Sequence, residues 1–348
     1  MKASPEPADL TDRLARLIDT GGPISVGHYM AEANAHYYGT RDPLGEAGDF
    51  TTAPEISQMF GELAGLWLVD LWQRAGEPAG ACYVELGPGR GTLAADALRA
   101  IARAGLKPPV HFVETSPPLR QAQRARLANA TWHDDSSTLP GGAPLLIVAN
   151  EFFDALPVRQ LVATDQGWHE LLVTHDDGRF SRVPGPLIPA PLAKAEPGTI
   201  VETSPASVSV VRELARRLST QGGAALIVDY GHERSCAGDS LQAVERHGFA
   251  DPWQRPGARD LTAHVDFSAL KRAAEGEGAR TFGPAGQGEW LARMGIDVRA
   301  ALLAKSAPGR ADEVEAARLR LTAPDQMGTL FKAMALTAPG WPLPAGFE

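Results

Sequence analysis

Val84-Glu85-Leu86-Gly87-Pro88-Gly89-Arg90-Gly91-Thr92-Leu93 is the stretch on which the reading of this chain turns. An apolar run from Cys82 to Leu86 meets three glycines at alternate positions, and helix-like sequence follows from Thr92 to Ala104. This predicts a strand that turns sharply into a helix around a nucleotide-like ligand. Glycine serves there because it lets backbone approach a ligand without a Cβ in the way, and it adopts torsions that other residues avoid. The spacing narrows the choice of ligand. Dinucleotide sites carry G-x-G-x-x-G, whereas here the third glycine arrives one residue early and position 92 is Thr.

Working outward, the pattern alternates as a parallel sheet requires. Strand 82–87 leads to helix 91–104, strand Val110 to Glu114, helix 117–128 and a short strand near Ala130 to His133. Leu145 to Phe152 is apolar as far as Asn150, as a buried parallel strand should be. Helix 205–221 then precedes strand Ala224 to Tyr230. Ahead of this core, residues 1–80 read as a helical extension, with helices at 10–18, at Ser25 to Tyr38 and from Ile56 onward. Within the core, about 157–204 reads as an insertion: a hairpin of Val158 to Ala163 and Trp168 to Val173, then a Pro- and Gly-dominated run to 198. Residues 232–262 read as loop-rich, and 264–336 as helices with a closing apolar segment, Leu330 to Leu336.

Composition limits the functions available. With 44% hydrophobic and 22% charged residues, the chain reads as a soluble globular protein, and no run of 18 apolar residues suggests a membrane span. The polar Met1 to Asp9 has neither a signal-peptide core nor an Arg-rich transit character. The expected place is the bacterial cytoplasm, or the mitochondrial matrix for a processed organelle protein. A net charge of −9 argues against a general nucleic-acid binder and suits a cationic substrate. Cys82 and Cys236 and the nine histidines show no metal-ligand spacing, so no metal is expected.

The pattern E-x-G-x-G-x-G is similar to the turn of S-adenosyl-L-methionine (SAM) methyltransferases of the Rossmann-like class. That resemblance makes SAM the expected cofactor, lying over Gly87, Pro88, Gly89, Gly91, Thr92 and Leu93. Glu114, with Thr115 beside it, closes the second strand, where a carboxylate can accept both ribose hydroxyls. Glu85 would be costly to bury unpaired, and a place beside the methionine ammonium would explain it. Asp134 or Asp135, ending the third strand, is the expected partner of the adenine amino group, although adjacent acids in a loop are commonly just solvated. Asn150 and Glu151 break an apolar strand at its carboxyl end, where open α/β sheets place ligands and chemistry. Glu151 could hold a guanidinium by paired hydrogen bonds, with Asp49 and Glu55 as further candidates.

Taken together, Gly48 to Glu62, Glu85 to Thr92, Asn150 to Pro157, Asp229-Tyr230-Gly231 and Asp260 to Phe267 resemble, in order, the motifs of the MidA-like methyltransferases. The resemblance spans roughly residues 22 to 336. It implies an α/β protein with a Rossmann-like class I SAM-dependent methyltransferase sheet over 81–348, and an N-terminal extension, 1–80, that contributes to the active site. It also implies a protein substrate, through symmetric dimethylation of an arginine in a core subunit of respiratory complex I. Methylation of a small molecule or RNA, and SAM binding without turnover in an assembly factor, stay open at this point. A homodimer is compatible with the sequence.

Overall fold

The computed structural model describes residues 9–40, 51–189, 192–245 and 248–348. Its central sheet runs in the order Arg280–Gly286, Phe331–Thr337, Gly223–His232, Leu145–Asn150, Cys82–Leu86, Val110–Val113 and Thr131–His133, with the short Val265–Asp266 pairing at the end of Gly223–His232. From Gly223–His232 to Thr131–His133 every pairing is parallel. Phe331–Thr337 lies antiparallel to both neighbours.

The chain begins this sheet in the middle and first winds outward through Val110–Val113 and Thr131–His133. It then returns to place Leu145–Asn150 on the other side of Cys82–Leu86. The strand order therefore reverses between Cys82–Leu86 and Leu145–Asn150. In an open α/β sheet, that reversal leaves a crevice at the carboxyl ends of the two strands.

Both faces of the sheet are covered, which is why its strands are apolar throughout. Tyr83, Leu146, Val148 and Leu226 pack under helices Gln58–Arg74 and Thr92–Arg103. Val84, Leu86, Ile147 and Ile227 pack under helices Pro205–Gln221 and Phe267–Gly276. The first pair of helices touches closely: a Cβ on Gly65 would sit 2.4 Å from the Ala97 carbonyl oxygen. Only glycine lets the two backbones meet there, and the contact holds Gln58–Arg74 against the helix that follows the glycine turn.

A second sheet is formed by Ile24–Ser25, Gly167–Asp176, Arg159–Thr164 and Ile200–Thr203, with Arg179–Leu187 on its side. The Pro/Gly-dominated run thus contains a nine-residue strand, Arg179–Leu187, that period-two reading passed over. Pro184 and Gly185 masked it, and it pairs on Gly167–Asp176 across an irregularity near these residues. The region 232–262 likewise holds three short paired strands, Gln242–Glu245, Gly248–Ala250 and Asp260–Thr262. A further sheet strand, Arg280–Gly286, lies in the part read as helices.

Residues 9–80 divide between two cores. Leu10, Leu14, Ile18, Tyr29 and Met30, from helices Leu10–Gly21 and Val26–Thr40, pack with Val158, Leu171, Phe180 and Leu261. Gln58–Arg74 belongs to the central sheet.

Candidate functional site

Gly87, Gly89 and Gly91 all take left-handed backbone torsions, with φ of 60°, 54° and 77°. A Cβ on Gly87 would sit 2.9 Å from Phe152 Cδ2, so the glycine turn and the turn after Leu145–Asn150 are in contact across the crevice. The Gly91 N–H donates to the Pro88 carbonyl at 2.7 Å, closing the turn, and helix Thr92–Arg103 starts at once. The free N–H groups of its first turn and the positive end of its dipole face a ligand placed on the glycines. Leu93 itself is buried in the core, so only its backbone is available to a ligand.

Just after the next strand, Glu114 is buried and held at both carboxylate oxygens. Its Oε1 accepts the Ser116 N–H at 2.8 Å, and its Oε2 accepts Gln123 Nε2 at 3.2 Å. Gln123 Nε2 also donates to the Gly89 carbonyl at 2.7 Å, while its Oε1 accepts the Trp132 indole N–H at 2.8 Å. Gln123 thereby ties the glycine turn to Glu114. Burial pushes the Glu114 carboxyl upward against these donors. Each carboxylate oxygen retains a lone pair for a further donor. Thr115, beside it, is exposed. Asp134 pairs with Arg120 at 2.6 Å, and Asp135 caps the turn Ser136–Thr138, accepting the Ser137 N–H at 2.7 Å. Both acids are therefore already engaged locally.

Glu85 is buried within its strand, and its Oε2 accepts the Tyr83 hydroxyl at 2.6 Å. Burial pushes its carboxyl up to about 8, against that hydrogen bond.

Across the crevice, Glu151 adopts φ 50°, a left-handed torsion that a side chain with a Cβ rarely takes. Such strain is held only where the surroundings over-determine it, and here they do. The Glu151 N–H donates to the Val228 carbonyl at 2.9 Å. Directly after it, the N–H groups of Phe152, Phe153 and Asp154 converge on Asp229 Oδ2 at 3.1, 2.8 and 3.3 Å. Asp229 is fully buried at the end of Gly223–His232, and its Oδ1 accepts the Tyr230 N–H at 3.0 Å. Burial, with Asp154 and Glu151 nearby, pushes Asp229 well above the usual carboxylate range, while the converging N–H groups favour its anion.

The Glu151 carboxylate is held by two donors, the Ala53 N–H at 2.9 Å and Asn150 Nδ2 at 3.1 Å. Burial pushes it up to about 7, with the Ala53 N–H opposing and the Asp154 charge adding to the shift. Ala53 opens the short helix Ala53–Ile56, whose Glu55 accepts the Thr92 hydroxyl at 2.6 Å. One short segment therefore joins Glu151 on one side of the crevice to the first residue of the glycine-turn helix on the other. Asp49 lies outside the described residues.

Helix Val26–Thr40 braces the same end of the sheet. Asn34 Nδ2 donates to the carbonyls of Ala155 and Leu261 at 3.0 and 2.7 Å, and its Oδ1 accepts the Leu261 N–H at 3.1 Å. The Tyr38 hydroxyl donates to Asp260 Oδ1 at 2.8 Å, and the Tyr38 carbonyl accepts the Ser116 hydroxyl. Sequence reasoning passed over Asn34, Tyr38, Gln123 and Asp229 as site residues. Asp229 was within reach, since it interrupts an apolar strand at its carboxyl end as Asn150 does. The other three carry no local signal.

The residues present fit the expected SAM. The glycine turn leaves a cradle that side chains would fill, and Glu114 offers lone pairs one strand over. Among the described residues, no cluster of three or more His, Cys, Asp or Glu could hold a metal ion.

Comparison with known proteins gives the same direction. A family model described as "Putative S-adenosyl-L-methionine-dependent methyltransferase" matches residues 63–285. The mitochondrial protein arginine methyltransferase NDUFAF7 of Xenopus tropicalis is 37% identical, over 93% of this chain and 84% of its own length. The human protein of that name is also 37% identical, over 95% of this chain and 85% of its own length. A Burkholderia thailandensis protein crystallised with S-adenosyl-homocysteine bound is 29% identical, superposes with a TM-score of 0.87, and covers 99% of this chain and 97% of its own. With its Rossmann-like sheet and its glycine turn at the strand reversal, this chain belongs to that family of S-adenosyl-L-methionine-dependent methyltransferases.

Proposed function

We propose that this chain is a protein arginine N-methyltransferase whose acceptor is a core subunit of respiratory complex I, or its bacterial counterpart, modified by symmetric dimethylation. Relatives covering most of the chain carry the name protein arginine methyltransferase. The observation that carries the reading is Glu151: a half-buried carboxylate, strained into a left-handed torsion, at the edge of the crevice opposite the glycine turn. A guanidinium, planar and always charged, is the partner such a carboxylate binds best. The setting we propose is the bacterial cytoplasm, or the mitochondrial matrix for a processed organelle protein. No described helix is long and apolar enough to cross a membrane.

Bound SAM supplies a methyl group on a sulfonium sulfur, open to in-line attack. Gly87, Gly89 and Gly91, with the first N–H groups of Thr92–Arg103, would cradle the amino-acid end, and Glu114 the ribose hydroxyls. Glu151 would accept two guanidinium N–H groups, orient the attacking nitrogen, and draw positive charge toward the nitrogens that do not react. Residues 1–80 would contribute to the active site through Ala53 and Glu55, with 81–348 carrying the sheet and the insertion at about 157–204. The segment from Ala53 to Ile56 would also keep water from the crevice.

Replacing Glu151 by Gln keeps the size and removes the charge. Transfer from tritiated SAM should fall about 100-fold in kcat, with SAM affinity within about twofold. A Glu151→Gln enzyme with normal SAM binding and full transfer would overturn the assignment. In the wild type, activity should rise with pH through about 7 as Glu151 ionises, and the variant should lack that acid limb.

A further inference from the structure

Glu151 is not alone at the acceptor end of the crevice. Asp154, three residues on, is buried, and its charge bears on Glu151, Asp229, Tyr38 and Tyr230. Burial pushes its carboxyl up to about 6, with the neighbouring Tyr230 hydroxyl and Ala155 N–H favouring the anion. Its Oδ1 is buried and has no hydrogen-bond partner. The same is true of Asn150 Oδ1, whose amide nitrogen is bound to Glu151. The two orphaned acceptors, one on Asn150 and one on Asp154, thus lie on the same short turn as the half-buried Glu151 carboxylate, an arrangement short of donors. Left so, it is costly, because a buried acceptor without a donor has lost its water for nothing. Both oxygens of Asp229 are already engaged by backbone N–H groups. Glu55 is bound to Thr92 on the other side of the crevice.

We propose that Asp154 is a second acceptor-binding residue, and that its free Oδ1, with Glu151 and Asn150 Oδ1, forms a pocket for a cationic side chain rich in N–H donors. This rests on the reading of the site as an arginine methyltransferase and names the residue that completes its acceptor pocket. A guanidinium supplies five N–H donors in one plane and a charge that never leaves, so it can serve two carboxylates and an amide oxygen together. An ammonium brings three donors on a single nitrogen, and a neutral urea brings no charge to offset the two acids. Glu151 would then grip one edge of the guanidinium while Asp154 fixes the other, setting which nitrogen faces the methyl donor.

The test uses full-length enzyme, tritiated SAM and an unmethylated complex I core subunit as acceptor. For Asp154→Asn, KM for the acceptor should rise about tenfold or more while KM for SAM stays within about twofold. Asp154→Glu should recover part of the loss. An Asp154→Asn enzyme that binds S-adenosyl-homocysteine normally and keeps its acceptor KM within about twofold overturns the inference and leaves the arginine reading intact. If the wild type labels no arginine, it is that underlying reading that falls, and the inference with it. A measurement on the wild type avoids dependence on a variant that folds poorly. N-acetylarginine amide should inhibit transfer competitively against the acceptor, and more strongly than the lysine or citrulline analogues. Equal inhibition by the citrulline analogue would overturn the proposal, and stronger inhibition by the lysine analogue would overturn the choice of guanidinium.

Discussion

At Gly87, Gly89 and Gly91 the backbone takes φ of 60°, 54° and 77° with no side chain to obstruct it, while across the crevice Glu151 takes φ 50° carrying a full carboxylate. The glycine turn needs little outside help: Gly91 closes it on Pro88, and Gln123 is the one side chain bound to its carbonyls among the hydrogen bonds described above. The turn at Glu151 is held by Asp229 and Val228 from the next strand and by Ala53 from the N-terminal segment, with Asn34 bracing Ala155 just beyond. One side of the crevice is thus built from backbone conformation and the other from buried polar contacts. A donor molecule shared by a whole superfamily can be met by backbone. If Glu151 meets the acceptor as proposed, that acceptor is met by placed charges, and these in turn need support from distant parts of the chain.

If that contrast holds, damage to the glycine turn should abolish donor binding, and damage to the opposite turn should spare it. The largest effect is expected for Gly87→Val. The new side chain meets Phe152 within 2.9 Å and forces a left-handed torsion on a β-branched residue, at a cost of about 1–3 kcal/mol for the torsion alone. SAM affinity, measured by calorimetry, should fall about 100-fold or more, since every contact in the cradle moves. A variant that retains micromolar SAM binding would show that the turn is less specific than its torsions suggest.

Asn34→Ala is the reciprocal case. It removes a buried amide that donates to Ala155 and Leu261 and accepts from Leu261. Leaving those backbone groups unpaired should cost about 2–4 kcal/mol in unfolding free energy by denaturant titration. KM for the acceptor should rise while SAM affinity changes by less than about twofold. Equal losses on both sides would erase the contrast between the two turns.

The fold was legible in the alternation of apolar strands and helices, because parallel strands buried on both faces leave a continuous apolar record. The glycine turn was legible too, since glycine marks the torsions it permits: Gly87, Gly89 and Gly91 identify themselves. The opposite turn, at Glu151, was only half legible. Glu151 stood out by interrupting an apolar strand, but no local pattern ties it to Ala53, 98 residues earlier. Glu55, read as an acceptor candidate from its motif, is bound to Thr92, a contact that only the fold reveals. Arg179–Leu187 was hidden for a different reason: Pro184 and Gly185 disguise a strand whose pairing is set by its neighbour.

Glu85→Gln tests whether the glycine-turn strand also stores electrostatic cost. Burial raises the Glu85 pKa to about 8, from an ordinary value of 4.5 in the unfolded chain. Between those values the folded protein holds a proton that the unfolded chain releases, so stability falls as pH rises through this window. The wild type should therefore lose stability relative to Glu85→Gln from about pH 4.5 to 8, by roughly 2 kcal/mol or more, with no further divergence above. Thermal melts across pH, without SAM, measure it. Parallel curves for the two proteins would mean that Glu85 is ionised in the fold.

The smallest effect is expected where the two sides are tied together. Thr92 donates to Glu55 at 2.6 Å and accepts from Arg126 Nη1 at 2.9 Å, so its hydroxyl links the N-terminal segment to the glycine-turn helix. Thr92→Val keeps the shape and removes both bonds, in a partly exposed position where water can replace them. The stability loss should be about 1 kcal/mol, within the ordinary range for one charge-assisted hydrogen bond. Its value as a test lies in kinetics. If the segment Ala53–Ile56 only braces Glu151, the variant should change neither SAM affinity nor acceptor KM by more than about twofold. If the segment senses the donor through Thr92, acceptor KM should lose its dependence on bound donor, because the one hydroxyl that connects Glu55 to the donor's helix is gone. S-adenosyl-homocysteine would then affect acceptor binding in the wild type and leave it unchanged in Thr92→Val, and a double-mutant cycle with Glu151→Gln would measure how strongly the two sides are coupled.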